Sequence, residues 1–335
     1  MEPTNYRNFF ILLGVLAITT YFGDQLRKYY DNLDKDEEYE LIRKFLLNDA
    51  LASSLQEKKK PKLWIHTVYH INARNWKSFG SPTSTDLNQP YLHLTIESIV
   101  QHCSDSFHIC LIDDDSFSKL IPSWSVDMAT VAEPFRRRCR EYGLATLLHM
   151  YGGMVIPNSF VCFRDLLPMY QEHAAKPFVG ERYINNDAVK RQGRRLLFLP
   201  DTFVMGCKQG NLVMASYAKY LWERCRQPHF QTQVEFLADS NDWLLRAVES
   251  GDFALVDGTL LGVKTMQQTP VMLEDLFEEE PLDLSYEIYG VFLPAEDILK
   301  RTKYMWLAYL SPEELYKNRS NVAKYLSLAR YEGAV

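Results

Sequence analysis

The chain has 335 residues, 47% hydrophobic and 13% aromatic, which is enough for one large α/β domain or two small ones and too apolar for a disordered scaffold. Its net charge is −6 with Lys and Arg interspersed among the acids, so no domain-wide basic surface exists and nucleic acid is not expected as a partner. The six cysteines form no Cys-x-x-Cys pair, and those in apolar runs (Cys110, Cys162, Cys207) are expected to be buried free thiols.

Residues 8–23 (NFFILLGVLAITTYFG) carry no charge. The run is shorter than the roughly 20 residues that span a bilayer, but flanking Tyr6 and Leu26 narrow the gap. A single-pass membrane anchor over 1–28 is the favoured reading. A buried or interfacial helix and a cleaved signal peptide are the rivals, and against the latter no small-x-small cleavage pattern follows the run. Residues 29–60 turn charged and helical, with Leu41, Phe45, Leu51 and Leu55 in one stripe. They form either a stem or a helix packed on the domain. The run Lys58-Lys59-Lys60-Pro61-Lys62 then marks the boundary of a domain over 61–335.

Beyond it the pattern alternates between strand and helix. Leu63–Tyr69 predicts a strand, Tyr91–His102 a helix, Phe107–Ile112 a second strand, Leu144–Met150 an apolar helix and Met154–Ile156 a third strand. Lys176–Gly180 and Thr202–Cys207 read as strands, and Val213–Arg226 as a helix. Crossovers of this length imply a Rossmann-like, mostly parallel sheet flanked by helices.

Ligands in such sheets bind beyond the carboxyl ends of the strands, which selects the loops Tyr69–Asn75, Asp113–Ser116 and Pro157–Ser159. Asp113 and Asp115 are candidates for a nucleotide or a hard cation, or for the cap of a helix over Ser116–Leu120. His66 is either a satisfied core histidine or a ligand-facing one. Asp201, just before a strand, is a candidate general base or a solvated loop residue. Asp242, in Asp239-Ser240-Asn241-Asp242-Trp243, stands beside an aromatic suited to stacking on a sugar, or belongs to a helix N-cap. The run Arg136-Arg137-Arg138-Cys139-Arg140 is a solvated helix start or a phosphate-facing patch. Serine-hydrolase, Walker, kinase and zincin motifs do not occur.

The stretch Glu141-Tyr-Gly-Leu144-Ala-Thr-Leu-Leu148-His-Met-Tyr151-Gly152-Gly153-Met-Val-Ile-Pro157-Asn158-Ser159 resembles a segment of the glycosyltransferase family 32-like proteins, which include mannosyltransferases and capsular-polysaccharide synthesis proteins. Their pattern is a helix Asp-x-x-Arg-x-x-x-Leu-x-x-x-Gly-Gly and a strand ending in Asp-x-Asp. Here Glu141 replaces the Asp, Leu144 the Arg, and Pro157-Asn158-Ser159 the Asp-x-Asp. The resemblance spans about Leu63–Tyr220 and implies a GT-A fold. It also implies a nucleotide-sugar donor, a glycan or protein acceptor, and transfer at a membrane. Candidate donor-binding residues are His66, Asp113, Asp115, Glu141, Gly152, Gly153, Asn158 and Ser159; Asp201 and Asp242 are the catalytic candidates. The family's metal would be Mn2+ or Mg2+, which the neutral Asn158 and Ser159 ligate weakly, so no metal ligand is assigned and cations such as Arg74 or Arg136 are the candidate substitutes. The chain is also similar in overall pattern to proteins of large DNA viruses, and an inactive GT-A fold serving a structural or binding role in a virion membrane is the alternative. The sequon at Asn318 matters only if the domain is lumenal.

Overall fold

A computed structural model of the protein describes residues 60–67, 89–122, 124–133, 135–183, 196–226 and 233–330. The expected anchor over 1–28, the stem apart from Lys60, and the loop Tyr69–Asn75 with Arg74 lie outside the described residues. Among the described residues no helix is long and apolar enough to cross a membrane.

The order of elements is β1 (Lys62–His66), α1 (Tyr91–Cys103), β2 (His108–Ile112), α2 (Ser116–Leu120), α3 (Phe135–Tyr151), β3 (Gly153–Pro157), β4 (Phe160–Cys162), α4 (Leu167–His173), β5 (Phe178–Tyr183) and β6 (Phe198–Cys207). There follow α5 (Leu212–Arg226), α6 (Gln233–Glu249), β7 (Ala254–Val256), α7 (Leu273–Phe277), β8 (Gly290–Phe292), α8 (Ala295–Lys300), a 3-10 turn (Met305–Tyr309), α9 (Pro312–Tyr316) and α10 (Asn321–Arg330).

Six strands form a mixed sheet in the order β2-β1-β3-β6-β5-β7, in which β6 alone runs antiparallel to its neighbours. The mixed α/β, mostly parallel sheet flanked by helices agrees with the Rossmann-like expectation. β1 shows why: Leu63, Trp64 and Ile65 are all buried, as a strand covered on both faces requires. On one face Val155, Met205 and Cys207 pack in a core with Leu147 and Leu148 of α3, Tyr217 and Leu221 of α5, and Leu244 of α6. Each fully buried Leu there contributes about 1.5–3 kcal/mol. A separate antiparallel pair, β4 with β8, anchors a second core made with α1 and the C-terminal helices.

Two local features set the edge of the sheet. α3 enters β3 through Gly152 (φ +70°) and Gly153 (φ +95°). A Cβ on Gly153 would lie 2.1 Å from the Lys62 carbonyl oxygen, and one on Gly152 would lie 2.6 Å from the Gln209 amide nitrogen. Only glycine allows this left-handed turn and the close approach of β3 to β1. At the other end, β3 and β6 pair only as far as Val155 with Met205. β6 also bulges: Val179 and Gly180, adjacent on β5, face Met205 and Asp201. Phe203 thereby lines a cavity together with Pro157, and Asp201 lines the one that adjoins it.

Several expectations shift in register. The helix predicted over Leu144–Met150 begins nine residues earlier, at Phe135, because its first turns are basic and carry no apolar periodicity. Asp239–Trp243 lies inside α6 and not at its N-cap. Trp243 packs on Tyr217 (4.9 Å between ring centres) and Tyr220 (5.6 Å), so its ring is engaged with protein aromatics. All six cysteines are buried free thiols.

Candidate functional site at the carboxyl edge of the sheet

Three loops at the carboxyl ends of parallel strands are described, after β2, β3 and β7, and the two that the sequence singled out, after β2 and β3, use their polar groups differently. After β2, Asp113 Oδ1 accepts hydrogen bonds from the Ser116 backbone N–H (2.9 Å) and hydroxyl (2.6 Å), which starts α2. Asp114 accepts a forked pair from Arg140 Nε and Nη2 (2.7 Å each), and its Oδ1 lies 3.0 Å from His66 Nε2. Burial alone would raise the Asp114 carboxyl, but the hydrogen bonds from Arg140 and His66 outweigh it and hold it well below the usual carboxylate range. The His66 ring also stacks on Phe117 at 5.6 Å. Asp115 is exposed. His66 and Asp113 are thus tied into protein contacts, and none of the three lines the cavities described next.

After β3, Pro157, Asn158 and Ser159 line a cavity of about 210 Å3. It shares Arg137, Arg182, Phe292 and Glu296 with a larger one of about 410 Å3, which reaches Asp201, Tyr183, Asn241 and Lys300. The β3 loop is held in place from behind. The Asn158 carbonyl accepts from Thr95 Oγ1 (2.5 Å), and the Ser159 carbonyl accepts from the Leu293 N–H (3.0 Å). The Asn158 amide donates to Thr67 Oγ1 at 3.3 Å.

Arg137, from the first turn of α3, donates to Glu296 of α8 at 2.5 Å. Burial opposes the Glu296 charge, but Arg137 outweighs it and lowers the carboxyl. Arg182, at the end of β5, lies over the Phe292 ring (4.9 Å) and meets Asp201 Oδ1 only at 3.9 Å. That same Asp201 oxygen accepts from the Phe203 N–H at 2.8 Å. Asn241 fixes this corner by donating to the Pro200 carbonyl at 2.6 Å.

Glu141, one turn beyond Arg137 on α3, is 9% exposed, and its Oε2 has no hydrogen-bond partner. Desolvation pushes its carboxyl up to about 7, the positive charge of Arg137 opposing and the negative charges of Asp201 and Glu296 adding. It is therefore a buried acid under the cleft. Gly152 and Gly153 sit at the amino end of β3, opposite the cleft, where they shape the turn. Asp242 pairs with Arg246 (2.5 Å) on α6 and does not line either cavity.

The structure thus brings Asn158, Ser159 and Asp201 together, and adds Arg137, Arg182 and Glu296. The basic run pointed to Arg137 only as part of a patch. Of its neighbours, Arg136 is spent on the Val131 carbonyl (2.8 Å) and Arg140 on Asp114. Arg182 and Glu296 carry no local signal, because only the sheet order and the β4–β8 pairing bring them to β3.

In comparisons with known proteins, no family model and no curated protein matches the chain. The Mn2+ or Mg2+ implied by the resemblance can be tested on the residues themselves. Asn158 and Ser159 offer neutral oxygens, and among the described residues no three His, Cys, Asp or Glu side chains converge to hold a metal ion. This donor set does not fit a hard divalent cation, which prefers several charged oxygens.

Proposed function

We propose that the protein is a GT-A-type glycosyltransferase-like protein that takes a nucleotide-sugar donor at the Pro157–Ser159 end of β3 and its acceptor in the larger adjoining cavity. The observation that carries this reading is the convergence of Asn158, Ser159 and Asp201 on contiguous cavities at the carboxyl edge of a mostly parallel sheet. Asp201 is the residue suited to accept the acceptor hydroxyl's proton as that oxygen bonds to the anomeric carbon and the bond to the diphosphate breaks. The backbone N–H of Phe203 orients its carboxylate. The uncharged run 8–23 supports a membrane location, which fractionation of the full chain would check.

The test is sugar transfer or donor hydrolysis with a panel of UDP- and GDP-sugars. Asp201→Asn is expected to lower turnover about a hundredfold while leaving donor binding intact. If the folded wild-type chain neither binds nor hydrolyses any donor, the reading falls. Binding without turnover, equal in wild type and Asp201→Asn, would instead favour the inactive binding protein, a reading supported by the neutral Asn158-Ser159 pair.

A further inference from the structure

We propose that the cleft beside β3 is a metal-independent site for a diphosphate-class anion, gripped by Arg137 and Arg182, with the Glu296 carboxylate as its resident stand-in. For the anion's identity as the diphosphate of a sugar nucleotide, this rests on the function proposed above; the anion site itself stands on charge and geometry.

Both guanidinium groups line both cavities, yet they come from different elements, the first turn of α3 and the end of β5. Their side chains are 30% and 28% exposed, so a ligand in the cleft can reach them. Arg182 is poorly matched by protein: its carboxylate neighbour Asp201 stands at 3.9 Å, beyond hydrogen-bond range, and is already engaged by the Phe203 N–H. Arg137 has one acidic partner at hydrogen-bond distance on its guanidinium, Glu296 at 2.5 Å.

Glu296 is suited to leave. It is 58% exposed and sits on the six-residue α8, where Lys300 is its other cationic neighbour at 3.5 Å. An ion pair open to water on that side is cheap to exchange. The larger cavity is lined by Arg137, Arg182 and Lys300, with Arg301 already paired to Glu274 at 2.5 Å, against the carboxylates Asp201, Glu296 and Asp297, so the balance turns positive once Glu296 turns away. A doubly or triply charged diphosphate then replaces a single carboxylate. The guanidinium fork matches phosphate oxygens in a way that neutral Asn158 and Ser159 cannot match through a metal. The charge missing from the end of β3 is thus supplied, with opposite sign and no ion between, from α3 and β5.

The experiment is calorimetry of the full chain with inorganic pyrophosphate in the presence of EDTA. Wild type is expected to bind; Arg137→Gln and Arg182→Gln should each weaken binding by about tenfold or more. Glu296→Gln should strengthen it by about threefold, because it removes the competitor and leaves the cations. Near-UV circular dichroism verifies folding, and Arg182→Gln, which touches no tight ion pair, remains informative if Arg137→Gln does not fold. No heat with folded wild type in EDTA, heat that requires Mn2+, or binding indifferent to both arginine variants would each overturn the proposal. Repeating the titration with UDP- and GDP-sugars separates the two ideas. Pyrophosphate bound without metal, with no sugar nucleotide bound, retains the anion site and discards the transferase; sugar nucleotide bound only with Mn2+ does the reverse.

Discussion

The ends of β2 and β3 are neighbours on the same edge of one sheet, separated by β1, yet they spend their charges in opposite ways. At β2 three consecutive aspartates look like a ligand site. Asp113 starts a helix and Asp114 is closed by Arg140 and His66, which leaves only Asp115 in solvent. At β3 the loop residues themselves are neutral, and the charges come from α3, β5 and α8 into a shared cavity. A carboxylate at a strand end therefore becomes a candidate site only when its partners leave it unsatisfied. The difference lies in pairing and not in position.

The strongest way to break the comparison acts on both ends together. Gly153→Ala would place a methyl group 2.1 Å from the Lys62 carbonyl at a positive φ, which is expected to cost at least about 3 kcal/mol or to prevent folding. Chemical denaturation would measure it, and an unchanged midpoint would refute the close approach.

Next, Asp114→Asn should destabilise by about 1–3 kcal/mol, because Arg140, 18% exposed, loses its forked partner, a cost moderated by the partial access of water. The sign with pH follows from its lowered carboxyl: this contribution is present above the ordinary carboxylate value and is lost as pH falls below it. Pyrophosphate binding should not change. If it does, the two ends are coupled and the comparison fails.

Glu141 gives an effect of similar size and opposite sign. A carboxyl raised from 4.5 to about 7 favours the folded state when protonated, so its contribution is complete below about pH 4.5 and is lost as pH rises through about 7. Glu141→Gln should remove that slope and stabilise the protein at pH 8 by about 2–3 kcal/mol. Thermal melts between pH 5 and 8 would decide it; parallel curves for wild type and variant would contradict the buried acid.

The smallest effect is Asp242→Ala. Its partner Arg246 is 64% exposed, so the loss should stay within about 0.5 kcal/mol, with turnover and binding unchanged. A large loss of turnover would return Asp242 to the site.

Much of the framework was legible beforehand. The continuous apolar runs of β1, β2 and β3 and the Gly-Gly turn are local signals, because burial on both faces and a left-handed backbone each demand particular residue types. Asn158 and Ser159 were legible as a place because they follow a strand; Asp201, expected just before one, lies inside β6, whose start at Phe198 the sequence did not show. Their partners were not. Arg182 comes after the predicted end of its strand at Gly180, and Glu296 lies on the short helix Ala295–Lys300, far from β3 in the chain.

By itself, then, the amino-acid order determined an α/β domain with a mostly parallel sheet, the edge where polar loops gather, and the neutrality of Pro157-Asn158-Ser159. Only the tertiary structure decided which charges remain available there. Whether Asp114, Arg137 or Arg140 is spent or free depends on partners distant in the chain, as with Arg140 on Asp114, 26 residues away, and Glu296 on Arg137, 159 residues away, whereas the Asp113–Ser116 contact is local and was legible as a helix cap. Electrostatic pairing acts through space over a few ångströms, and no local pattern of residues encodes it.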